Sequence, residues 1–242
     1  GHNFNAGSFS NDFWEYDPAN NLWIQRPSFG GTPRENAVGF SIGNKGYIGT
    51  GRDGYFFSSV RKDFWEYDPA TQLWTQKLDF GGTAREYATG FSIGTAGYIG
   101  TGLELATKKD FWEFNPGAPG SPGTWTQKTD FDGSPRMSAV GFSIGAKGYL
   151  GTGRDNLGNH VKDFWEYDPA TDSWVAKAEF EGTGRDGSVG FSIGEKGFIG
   201  TGRLGSGYSN DFWQYALQQF KVATYSTTSS SLLQSNFSDG IW

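Results

Sequence analysis

The chain has 242 residues, 38 of them glycine, with 10 Trp, 11 Tyr, 21 Phe and no cysteine. This aromatic content argues against disorder, and the missing cysteine excludes disulfides, thiol catalysis and cysteine-ligated metal. With 20 basic and 26 acidic residues the net charge is −6, which lacks the basic excess a nucleic-acid binder needs, and no run of about 18 apolar residues offers a membrane span. In chain order, residues 12–27 hold two β-rich phrases, Phe13-Trp14-Glu15-Tyr16 and, past the Asp17-Pro18 turn signal, Leu22-Trp23. Residues 34–77 begin at Arg34 and run through Gly39-Phe40-Ser41-Ile42-Gly43, where Phe40 and Ile42 alternate with Ser41. Gly46-Tyr47-Ile48-Gly49-Thr50-Gly51, a loop, Asp63-Phe64-Trp65-Glu66-Tyr67-Asp68-Pro69 and Trp74-Thr75-Gln76-Lys77 complete that unit. The phrases return over residues 85–128, 136–177 and 185–225; Val222 stands where a Trp is expected, and residues 226–242 leave the pattern.

A period of about 50 residues built from four short strands, here a to d, predicts one propeller blade per unit. No segment of ten or more residues has a helical period, so the expected class is all-β. Both faces of a blade meet neighbours, so Phe64 and Trp65, pointing opposite ways, are both large. Gly49-Thr50-Gly51-Arg52-Asp53-Gly54 and Gly200 to Gly205 fit a dinucleotide-binding pattern, but no helix follows; they are by-products of the repeat. The turns at Asp53, Asp132 and Asp155 lack the regular ligand series of a calcium loop. Asn236-Phe237-Ser238 is a lone glycosylation sequon.

The units resemble the kelch repeat across residues 12–215. The resemblance rests on the glycines closing strand b and on a Tyr separated by six residues from a Trp, as in Tyr16/Trp23, Tyr67/Trp74 and Tyr167/Trp174. Here the closing glycines read Gly-Thr-Gly rather than an adjacent pair. The unit over 85–128 has Phe114 and a four-residue insertion, with Gly117 to Gly123 rich in glycine and proline. The resemblance implies a single kelch-type β-propeller over residues 1–242. Its parts are a half blade (12–27), blades over 34–77, 85–128, 136–177 and 185–225, and closing strands or a tail over 226–242. Five copies of strand c imply five blades, the first completed by strands a and b from the tail around Ser231 to Phe237 and Ile241-Trp242. Each strand-c Glu is expected to pair with the Arg of the following unit: Glu15–Arg34, Glu66–Arg85, Glu113–Arg136 and Glu166–Arg185. Gln214 would then stand where no Arg follows. The repeated Trp residues are expected to pack the core rather than stack on sugars.

Function is expected in the loops that escape the repeat, above all the b–c loops, which vary most in length and content. The candidate binding residues are Arg52, Asp53, Tyr55, Phe56 and Phe57 in the first full unit and Glu104 in the second. Arg154, Asp155, Asn156 and His160 follow in the third, then Arg203 and Tyr208 in the fourth. The resemblance implies that an Arg after the closing glycines contacts partners, a position filled by Arg52, Arg154 and Arg203 but not by Leu103. Exposed aromatics beside Arg fit a contact hot spot. The expected function is a non-catalytic binding, adhesion or scaffold module for a protein or glycan, without cofactor or metal, nucleic acid or membrane insertion, within a larger surface assembly. The alternative is a kelch-scaffold enzyme acting on carbohydrate, oxidase-like or sialic-acid-processing. Absent cysteine and only two histidines, His2 and His160, weigh against it. A first residue of Gly, a sole methionine at Met137 and the likeness to secreted bacterial kelch-like chains give the expectation of a processed or trimmed extracellular or cell-surface protein.

Overall fold

The computed structural model describes residues 1–3, 7–56, 59–216 and 219–222. Among them there is no α-helix; the chain forms successive antiparallel sheets. The half blade pairs strand c, Phe13–Asp17, with strand d, Leu22–Arg26. Blade I orders Val38–Ile42, Lys45–Gly49, Phe64–Asp68 and Leu73–Gln76 as a-b-c-d. Blade II repeats this with Thr89–Ile93, Ala96–Gly100, Phe111–Asn115 and Thr124–Lys128. Blade III has Val140–Ile144, Lys147–Gly151, Phe164–Asp168 and Ser173–Lys177. Blade IV has Val189–Ile193, Lys196–Gly200, Phe212–Ala216 and Gln219–Val222. Four four-stranded blades thus stand in a propeller arrangement, with a two-stranded partner beside blade I. The expected closing segment, residues 226–242 with its sequon, lies outside the described residues.

The core lies between blades. Strand a of blades I to III carries three inward side chains, apolar but for Thr89, that pack against glycines of the next blade. A Cβ on Gly90 would come within 2.2 Å of Val38, and one on Gly97 within 2.3 Å of Phe40. The same holds for Gly141 and Gly148 against Thr89 and Phe91, and for Gly190 and Gly197 against Val140 and Phe142. Glycine is required at these positions because two sheets approach to backbone distance. Farther out, Phe64 meets Phe114 edge-on at 4.8 Å, and Phe111 meets Tyr167 at 4.8 Å. On the opposite face of the same strand, Trp65 packs on Phe29 and covers Gly30. Phe64 and Trp65 therefore serve two interfaces, as the alternation requires.

Each blade is locked by a buried arginine. Arg85 is fully buried, grips Asp110 with both terminal nitrogens at 2.7 Å, and donates to the carbonyls of Thr101 and Thr83. Its guanidinium lies 4.9 Å over the Phe80 ring. Asp110 also accepts from the Trp112 indole, which explains the repeated Asp-Phe-Trp spacing. Arg34–Asp63 and Arg136–Asp163 repeat the arrangement with Trp65 and Trp165, and Arg185–Asp211 repeats the ion pair, whereas the Trp213 indole nitrogen makes no hydrogen bond.

The expected Glu–Arg pairs between successive units are therefore wrong. The arginines bond the Asp of their own blade, because the fork needs a carboxylate beside its own strand c. The glutamates face the other way, toward strands b and d. Glu66 accepts from the Tyr47 hydroxyl at 2.8 Å, Lys45 and Lys77, and Glu166 accepts from Tyr149 at 2.7 Å. Glu113 accepts from Tyr98, and Glu15 pairs with Arg26. Gln214 is explained within its own blade: it stands opposite Phe198, the one strand-b position of the four blades without a hydroxyl to satisfy. Strand d of blade IV also corrects the sequence reading. Phe220, rather than Val222, holds the register opposite Tyr215 that Trp74 holds opposite Tyr67.

Candidate functional site

The end of the propeller that carries the b–c loops also carries the residues following each buried arginine. Asn36, Tyr87, Ser138 and Gly187 sit two residues past those arginines, all in the left-handed region with φ of 53° to 64°. There the Tyr87 amide donates to the Asn36 carbonyl, Ser138 to Tyr87, and Gly187 to Ser138. This backbone relay crosses from blade to blade and places the residue just before it at the mouth of the array. Those residues are Glu35, Glu86, Met137 and Asp186. Each pairs across its hairpin with the residue after the closing glycine: Glu35 with Arg52, Glu86 with Leu103, Met137 with Arg154, and Asp186 with Arg203.

The side chains form a charged rim. Arg52 donates to Glu35 at 2.8 Å and also reaches Glu86 at 3.3 Å. Burial works to lower the Arg52 pKa, but its two carboxylates outweigh it and the net shift is upward. Burial pushes Glu86 above the ordinary carboxylate range, against hydrogen bonding from Asn36 and the charge of Arg52. Arg203 grips Asp186 at 3.1 and 3.2 Å, and that pairing raises its pKa. A cavity of about 750 Å³ opens between them, lined by Arg52, Glu86, Tyr87, Met137, Arg154, Asp186, Arg203 and Tyr208 among others. A second, of about 350 Å³, lies between the b–c loops of blades III and IV and shares Arg154, Arg203 and Tyr208.

Of the residues singled out in the sequence, Arg52, Arg154, His160, Arg203 and Tyr208 line these two cavities. The others do not. Asp53 is held by Arg61 and Thr32, and Asp155 accepts the Leu157 and Asn159 amides, so both shape their own loops. Tyr55 donates to the Gly7 carbonyl and its ring lies 5.3 Å from Phe9, so it packs on the N-terminal segment. Phe56 is exposed, and Phe57 lies outside the described residues. Glu104 pairs with Lys108, and Asn156 is exposed with its amide on Pro135. Glu35, Glu86, Met137 and Asp186 were missed, although a changing residue beside an unchanging Arg was a readable signal. Among the described residues no group of three acidic or histidine side chains has metal-binding geometry.

No protein-family profile matches the chain, and no curated protein matches it. Among solved structures, the one titled "Structure of YjhT" superposes with a TM-score of 0.72 at 14% sequence identity. The match covers 89% of this chain and 76% of that one, and at that identity it speaks for the β-propeller fold alone.

Proposed function

We propose that the protein is a non-catalytic binding or adhesion module that recognises a protein or glycan through the b–c loop face. The propeller is read as kelch-type with five blades, the half blade being completed by the C-terminal strands. An extracellular or cell-surface setting goes with this reading. The observation that carries it is the convergence of charged side chains from all four blades on one mouth, while the abundant aromatics are spent between blades. Arg is favoured in such contacts, since its planar fork gives directional bonds at low ordering cost. A fold that holds its loops on rigid sheets suits binding, because ordering costs are already met.

The test is a glycan array combined with capture from the native source, using wild type and Arg52→Ala/Arg203→Ala/Tyr208→Ala. Circular dichroism checks that the variant folds. The reading expects partners retained by wild type and lost by the variant. Equal retention by both overturns it.

A further inference from the structure

The mouth is unevenly charged, and the imbalance has a local origin. At the paired positions described above, blade I has Glu35 with Arg52, and blade IV has Asp186 with Arg203. Blade II lacks the arginine (Glu86 with Leu103), but Arg52 of blade I reaches across and neutralises Glu86. Blade III lacks the acid (Met137 with Arg154). The neighbouring Asp186 is held by Arg203 and has His160 at 3.6 Å. Arg154 donates through Nε to the Gly158 carbonyl at 3.2 Å and has no carboxylate within 4 Å among the described residues. Its terminal nitrogens are thus left for another acceptor.

A cavity lies beside that fork. His160 borders it with its Nε2 buried and 3.6 Å from the Asp186 carboxylate, so this nitrogen is turned toward the protein. Arg154, His160, Arg203 and Tyr208 line the open 350 Å³ cavity, whose remaining wall includes Gly205 and Gly207. The space a Cβ would take at either glycine is empty to 4 Å. The cavity therefore offers a guanidinium fork and an aromatic wall, with room for a small molecule.

We propose that this cavity binds a small organic carboxylate, with Arg154 as the bidentate anchor beside the ring of Tyr208. The inference deepens the binding reading above and rests on it. A carboxylate fits the single uncompensated positive charge and the planar fork of Arg154.

The test is isothermal titration of the whole chain with acetate, glucuronate, inorganic phosphate and, as a neutral control, glucose. Wild type should bind acetate and glucuronate saturably and ignore glucose. Met137→Glu supplies the acid that blade I already has opposite its arginine, so it should fold normally and weaken glucuronate at least tenfold. Arg154→Leu copies the residue of blade II and should do the same, with melting temperatures showing that both remain folded. No carboxylate binding by wild type, unchanged affinity in both folded variants, or tighter binding of phosphate than of either carboxylate overturns the proposal. If titration fails while the array still shows loop-dependent capture, only this inference falls. If capture fails while glucuronate binds through Arg154, only the macromolecular reading falls.

Discussion

Arg34, Arg85, Arg136 and Arg185 each close a local circuit of a phenyl face below, a carboxylate alongside and a backbone carbonyl beyond. A buried guanidinium is tolerable because nearly all its donors are used, and removing one partner strands the other. Burial pushes Asp110 and Asp163 up, but hydrogen bonds and charge from Arg85 and Arg136 hold both below the ordinary value. In Asp211 the hydrogen bond from Arg185 dominates and brings the pKa to about 2. A carboxyl with a lower pKa in the folded state adds stability above its unfolded value and loses it as pH falls through the folded one. From an ordinary value of 3.8, the Asp211 contribution should therefore vanish between about pH 4 and pH 2. Arg185→Met should cost about 3 kcal/mol at neutral pH and flatten that part of the profile, measured by urea unfolding across the pH range. The repeated Arg and Asp were visible in the sequence, yet their pairing was misread. Charge arithmetic along the chain cannot tell which carboxylate lies beside a fork, whereas strand register can.

Within the blade, the unit of stabilisation is the cross-strand pair on one face. Tyr47, Tyr98 and Tyr149 stand opposite Glu66, Glu113 and Glu166, and burial together with the adjacent carboxylate drives each phenol pKa upward. Blade IV changes both members at once, to Phe198 and Gln214. The Gln214 side-chain oxygen is buried and accepts no hydrogen bond. Phe198→Tyr should supply the donor and raise stability by about 1 kcal/mol, read as a higher urea midpoint at unchanged slope. An unchanged or lower midpoint would show that the hydroxyl does not reach Gln214. The coupled change was legible in the aligned repeats, since Phe198 and Gln214 are the odd members of their columns. The pairing of strand b with strand c gives it meaning. The insertion in blade II follows the same logic: the Ser121 and Pro122 carbonyls accept from Lys77 and Leu78 of blade I, so extra residues become an interblade clasp.

Across the whole molecule, the triad-on-glycine contact joins the blades, and its two ends are unequal to its middle. Val38 and Ile42 are 4% and 8% exposed, whereas Val189 and Ile193 are 58% and 65% exposed. At the other end, a Cβ on Gly39 would meet nothing closer than 3.7 Å. Gly90→Ala should push blades I and II apart and cost about 1–3 kcal/mol. If the ring closes as a fifth blade, Gly39→Ala in the whole chain should cost a similar amount in thermal or urea unfolding. A neutral Gly39→Ala would show that no apolar triad packs there. The sequence alone determined the class, the period and the strands, because a phrase copied four times reports its local hydrogen bonding and alternation at every copy. It also located the variable loops. What only the tertiary structure decided is which charges meet. The rim at the mouth is assembled from residues on neighbouring blades and opposite sides of a hairpin. The rim cation with no carboxylate within 4 Å among the described residues, Arg154, is defined by the acid that Met137 replaces across the strand, and only register makes those two neighbours.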